Sequence, residues 1–203
     1  MKNVKIRKMV FASELIAIIL LLSFIINPVT GMPIGYIPIG TVAVMTIIHI
    51  PVIIGAILLG KNYGMILGLV FGLGSLIESA ILLGYNAPFT NPLLSVVPRI
   101  FLGYITAVYY EIFTKKIKNK LFGTGLSLGL ATLTHTLVVV PILYFVGVTG
   151  FYFTASENPF TTNNVLLGIF TSIFAINGLI EVVLAIAVGI PIIRVLDQVV
   201  NKK

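Results

Sequence analysis

Arg99, His49, His135, Asn177, Glu78 and Glu181 interrupt stretches that are otherwise almost wholly apolar. Ionisable and amide side chains are expensive in hydrocarbon and by default mark function there. Their types suit recognition of a small organic solute more than bond-breaking chemistry. Arg99 offers a planar, two-pronged donor that matches a carboxylate. His49, which follows Thr41 and Met45 at helical spacing, and Asn177 offer neutral hydrogen bonds. Arg99, Gly103, Thr106 and Tyr110 fall on one helical face, and so do Phe170, Phe174, Asn177 and Glu181. Thr132, His135 and Thr136 cluster on another segment. Each has a plain alternative. Arg99 can snorkel to lipid headgroups or pair with Glu78, and the histidines and Asn177 can make interhelical hydrogen bonds.

One motif tests an enzymatic reading. Gly125-Leu-Ser-Leu-Gly129 matches the G-x-S-x-G pattern of a nucleophile elbow, but that elbow needs a strand, a turn and then a helix. Here Ser127 lies inside an apolar helical stretch, with His135 about 12 Å further along it by helical rise. A chance match among abundant small residues is the better account. No zinc-protease, phosphate-loop or paired-carboxylate pattern accompanies it. With no cysteine there is neither a disulfide framework nor a thiolate metal site. The sequence therefore calls for no catalytic residue, no metal and no cofactor.

The elements that must hold these residues are membrane helices. Of the 203 residues 58% are hydrophobic and 9% charged, against about a quarter charged in soluble domains. Apolar runs near the roughly 20 residues that cross a bilayer recur along the chain. They are too long and too evenly apolar for barrel strands. The expected architecture is an all-α, six-transmembrane-helix bundle, at about 9–26, 40–59, 62–83, 96–114, 121–147 and 165–195, in a single integral membrane domain spanning 1–203. The first run is long for a signal core and has no clear cleavage site.

Charge sets the expected orientation. Lys2, Lys5, Arg7, Lys8, Lys61, the Lys115–Lys120 cluster, Arg194, Lys202 and Lys203 all fall on one side of the alternating spans. The positive-inside rule makes that side, with both termini, cytoplasmic. It also makes the net charge of +7 a membrane signature rather than a nucleic-acid one. Arg99 alone lies on the other side. The connections at 27–39, 84–95 and 148–164 then face outward. They are rich in proline, glycine and aromatics, so they read as shaped rather than floppy, folding over a ligand or dipping into the membrane interface.

Two small-residue patterns remain. Gly60, Gly64, Gly68, Gly72, Ser75 and Ser79 recur at spacings of three and four, as in closely packed membrane helices. Ser13 and Ala17 lie four apart on the first helix, either packed internally or forming a docking face for a partner helix.

The segments HIPVIIGAILLG, GMILGLVFGLGSLI and NPLLSVVPRIFLG, together with the six spans and basic start, resemble the substrate-specific (S) components of energy-coupling factor vitamin transporters. The segment Asn91 to Arg99 is most similar to the pantothenate-type members. The resemblance implies a bacterial plasma-membrane protein that captures a vitamin from outside, with the 27–39 loop as a lid. It implies a coupling membrane protein docked on small residues of the first helix, here Ser13 and Ala17 in place of the usual pair of alanines, and two ATPase subunits that hydrolyse the ATP. The S component is expected to topple in the membrane to release its cargo. The candidate substrate-binding residues are Arg99, Asn177, His49, Thr106 and Tyr36. Folate, a pyrimidine or pyridoxine-like vitamin and cobalamin are the alternative solutes. An intramembrane enzyme or a scaffold subunit is the alternative class.

Overall fold

The computed structural model describes residues 2–39, 43–81, 87–149 and 178–200. Among them run α1 (Lys2–Phe24), strands β1 (Tyr36–Ile39) and β2 (Ala43–Thr46), α2 (His49–Leu59) and α3 (Lys61–Ile81). After a 3-10 turn at Ala87–Thr90 come α4 (Pro92–Ser95), α5 (Val97–Lys116), α6 (Lys120–Thr149) and α7 (Gly178–Val200). Four stretches are long and apolar enough to cross a membrane: Lys61–Ile81, Pro92–Lys116, Lys120–Leu143 and Gly178–Val200. α1 is 23 residues long and carries its basic residues within its first turns. The chain is thus a mostly helical membrane protein.

The tightest packing joins α3 to α5. A Cβ on Gly64 would lie 2.4 Å from the Gly103 carbonyl oxygen, and one on Gly68 would lie 2.1 Å from that of Arg99. One on Gly72 would lie 2.7 Å from the Val96 Cα. These contacts are with backbone, which cannot swing aside, so the stripe read from the sequence is an internal seam from Gly64 to Gly72, while Gly60 lies before α3 with open space around it. The buried residues of α3 are Gly64, Leu67, Gly68, Phe71, Gly72, Gly74, Ser75, Glu78 and Ser79. Ile66, Leu69, Leu73, Ile77 and Ile81 point outward, as lipid-facing residues should.

Of the expected second helix, at 40–59, residues 40–42 lie outside the described residues, and the rest is a strand, the second of a hairpin, followed by a short helix. β1 and β2 pair antiparallel, with Tyr36 opposite Thr46 and Ile37 opposite Met45. β-Branched residues in this run favour strand, and Pro38 has no N–H to give a helix. α2 has 11 residues, all buried, about 16 Å of helix against a hydrocarbon layer of about 30 Å. Met45 therefore lies on β2, and His49 opens α2 instead of continuing a helix from Thr41, which lies outside the described residues. Gly60, at φ 98°, makes the one-residue turn into α3.

Other boundaries shift less. α1 starts seven residues before the expected 9, and α7 runs to Val200 instead of 195; the expected helix before Gly178 lies outside the described residues. In the 27–39 segment Asn27 accepts from the Val29 N–H through Oδ1 and from the Gly31 N–H through its carbonyl, and Ile26 bridges to Pro33. Residues 87–95 form the 3-10 turn and α4, which Asn91 caps by accepting from Leu93 N–H at 2.9 Å. Both segments have fixed local structure, whereas 150–164 falls outside the described residues.

The basic residues gather at one end of the bundle. Lys61 at the start of α3 pairs with Glu111 near the end of α5 at 2.9 Å. Arg7 of α1 donates to the Val199 carbonyl of α7 at 3.4 Å. The hairpin, α4 and Arg99 lie at the other end.

The seam makes a prediction. Gly68→Ala should lower the midpoint of thermal inactivation in detergent by roughly 5–10 °C, because overpacking costs about 1–3 kcal/mol and the obstacle here is backbone. Gly125→Ala meets only the flexible tip of Ile190 at 3.3 Å, so its midpoint should hold or rise with the better helix former. Equal midpoints, read by thermal size-exclusion, would refute the seam.

Candidate functional site

Arg99 occupies the first turn of α5 and is only 6% exposed. A cation there opposes the positive end of the helix dipole, so other groups must hold it. Its Nη1 donates to the carbonyl of Leu94, in the last turn of α4. Its guanidinium stands 5.4 Å from the Phe71 ring centre and 5.0 Å from that of Phe89, both within cation–π range. Its Nε has no partner. Among the described residues Arg99 forms no ion pair, although Tyr36, Glu181 and Glu78 lie within its electrostatic reach. It is thus enclosed in protein, not snorkelling to the interface.

The hairpin is held over this centre by two carboxylates. The Tyr36 hydroxyl on β1 donates to Glu78 Oε2 of α3 at 2.9 Å. The Thr46 N–H on β2 donates to Glu181 Oε1 of α7 at 3.1 Å. Both carboxylates are buried, so these charge-assisted bonds replace water that the site excludes. Thr46 Oγ1 also accepts from the Ile48 N–H at 3.3 Å, which shapes the entry into α2.

His49, 2% exposed, lies next to that turn beside the Thr46 backbone, with neither ring nitrogen in a hydrogen bond of full geometry. Thr106 is buried one face-repeat below Arg99, and its hydroxyl donates to Leu102 O at 2.7 Å, leaving its lone pairs to accept. Arg99, His49 and Tyr36 thus converge at the hairpin end, with Thr106 deeper along α5. Asn177, like Phe170 and Phe174, lies outside the described residues.

Sequence reasoning missed Phe71 and Phe89 as the walls around Arg99. Phe71 was legible only as a large residue three places after Gly68 on the glycine seam. It also missed the pairing of Tyr36 with Glu78 and of Thr46 with Glu181, which link residues 42 and 135 positions apart.

Ser127 is fully buried and donates to Gly123 O at 2.7 Å within α6. Its surroundings are helical, not those of a nucleophile elbow. Ser13 and Ala17 are both exposed, on the side of α1 away from its buried Ala12, Leu15 and Ile19. The Ser13 hydroxyl is folded back onto Met9 O at 2.9 Å. Of the two readings for this pair, internal packing is therefore the one the fold does not use.

A membrane bundle whose buried polar side chains converge beneath a pinned hairpin is the architecture of a solute-binding transport protein. The chain belongs to the family described as ECF transporter, substrate-specific component, which it matches over residues 7–193. It is 32% identical to the pantothenate transporter PanT of Leuconostoc mesenteroides subsp. mesenteroides, over 100% of this chain and 98% of that protein. It is 30% identical to the pantothenic acid transporter PanT of Lactococcus lactis subsp. cremoris, over 76% of this chain and 79% of that one. The protein is a transporter component, not an enzyme, and a multi-pass protein of the bacterial plasma membrane. Family membership brings with it a substrate and ECF partner subunits.

Proposed function

We propose that this protein captures pantothenate outside the cell for an ECF importer, with Arg99 reading the carboxylate. The carrying observation is a buried guanidinium with an unpartnered Nε and no ion pair among the described residues, at the end of the bundle away from the other cations. Two relatives bearing pantothenate-transport names support the choice of solute. Pantothenate also carries hydroxyl and amide groups, which His49, Thr106, Tyr36 and Asn177 meet. Charge-assisted hydrogen bonds are worth about 1.5–3 kcal/mol, so Arg99→Ala should weaken pantothenate binding roughly ten- to a hundred-fold or more. Arg99→Lys should recover only part. Pantothenol, which lacks the carboxylate, should bind the unaltered protein poorly and lose little on Arg99→Ala. Calorimetry on both proteins with both compounds decides it. Equal losses for the two compounds would show that Arg99 does not read the carboxylate, and binding of a neutral or larger vitamin alone would overturn the solute.

The whole chain, 1–203, acts as one integral membrane domain that crosses the membrane six times with both termini in the cytoplasm, the hairpin and α2 together standing in for the second of the six expected helices. The gathering of basic residues at one end supports this orientation. The chain has no cysteine of its own, so single Thr30→Cys and Lys118→Cys variants give clean labelling sites, both exposed. In intact cells an impermeant thiol reagent should label the Thr30 variant and spare the Lys118 variant. The reverse pattern would invert the topology.

A coupling membrane protein and two ATPase subunits complete the importer, and Ser13 and Ala17 form its docking face on α1. Their exposure and small size support close approach by a partner helix. Ala17→Trp should abolish complex formation and uptake while pantothenate binding by the isolated protein persists. Normal uptake in that variant would remove the docking role.

A further inference from the structure

Buried polar atoms in this protein are mostly satisfied close at hand. Along α6 the hydroxyls of Thr124, Ser127, Thr132 and Thr136 each donate to the carbonyl four residues earlier, at 2.7–3.2 Å. Ser79 of α3 and Thr106 of α5 do the same. Against that background, the buried side-chain atoms without a partner among the described residues are confined to three residues. They are both ring nitrogens of His49, Nε of Arg99 and Nε2 of His135. The three residues come from α2, α5 and α6, each more than nine-tenths buried. His135 follows Thr134, whose hydroxyl meets that of Tyr109 on α5 at 3.1 Å, and it lies within electrostatic reach of both Arg99 and His49. Three helices therefore bring their unmet hydrogen-bonding capacity to one region.

Leaving a buried donor or acceptor unmet costs about 1–3 kcal/mol, and hydrocarbon offers nothing to meet it. A cluster of such atoms around a guanidinium is the reverse of what stability alone would select. The chemistry of the set defines its complement. Arg99 provides only donors, and a neutral imidazole provides one donor and one acceptor. A hydroxyl is likewise both donor and acceptor, and an amide offers one group of each kind. The carboxylates of Glu78 and Glu181 nearby disfavour a second anionic group, and Arg99 disfavours a cationic one.

We infer that His135 is a specificity-determining residue which, with His49, hydrogen-bonds the uncharged hydroxyl or amide portion of the molecule whose carboxylate Arg99 holds. This rests on the substrate-site reading above and adds to it His135, a residue of α6, as the group that selects for the neutral, polar portion of the ligand.

The test uses the purified full-length protein, with pantothenate as the probe. His135→Leu should reduce affinity at least about tenfold while leaving the thermal midpoint of the unliganded protein unchanged or higher, because it replaces an unmet polar atom with an apolar group. The amides discriminate by reach: a glutamine places its amide near the Nε2 position and an asparagine near Nδ1. His135→Gln should therefore keep more affinity than His135→Asn, and this pair decides the matter if the leucine variant fails to fold. A lower midpoint with unchanged affinity would make His135 a structural residue and overturn the inference. So would wild-type affinity in all three variants. If Arg99→Ala weakens binding while the His135 variants bind normally, this inference falls and the reading of Arg99 stands. If the unaltered protein binds no pantothenate, both fall together.

Discussion

Contact between the backbones of α3 and α5 is the constraint on which the rest of the molecule depends. Gly64 faces Gly103 and Gly68 faces the Arg99 carbonyl, with no room for a Cβ at either interface. In lipid there is little hydrophobic gain from bringing two helices together, so close approach and dispersion must supply the association. The same seam fixes the height and rotation of the first turn of α5. It thereby sets where the guanidinium stands relative to Phe71, which projects from the glycine-bearing helix itself. Packing and recognition are therefore one arrangement, not a scaffold with a site added to it.

A second constraint explains the hairpin. Extended backbone at membrane depth is tolerated only where protein encloses it. β1 and β2 satisfy part of their hydrogen bonding with each other. Glu181 meets the Thr46 N–H, and Tyr36 anchors the opposite strand through Glu78. Two acidic residues that look anomalous in apolar helices are thus accounted for in part by the strands they hold.

Much of this was legible in the sequence, for identifiable reasons. Charge placement and apolar runs are bulk properties, so the helical membrane class and most boundaries followed from them. The glycine seam followed because a spacing of three and four can only mean one helical face. The segment at 43–48 departs from the expected helix because hydropathy does not separate a buried strand from a buried helix. The β-branched Val44 and Thr46, with Pro38 just before them, are the available signal. Ser13 and Ala17 showed their size in sequence but not their exposure, which depends on the rotation of α1 against its neighbours. The walls of Arg99 and the anchors of the hairpin were out of reach because they join residues far apart in the chain. Asn177 was legible as a polar interruption, and its position lies outside the described residues.

The enclosure of α2 has a consequence for how the protein meets different membranes. Helices that touch lipid adjust to a thicker or thinner bilayer by tilting, at a fraction of a kcal/mol per ångström of mismatch. α2, 11 residues long and buried along its whole length, has no lipid-facing surface through which that force could act. The outer faces of α3 and α7, where Ile66, Leu73, Val183 and Val195 are exposed, are the surfaces on which such a force can act. His49 keeps its neighbours meanwhile, so the packing around it is insulated from the composition of the surrounding lipid.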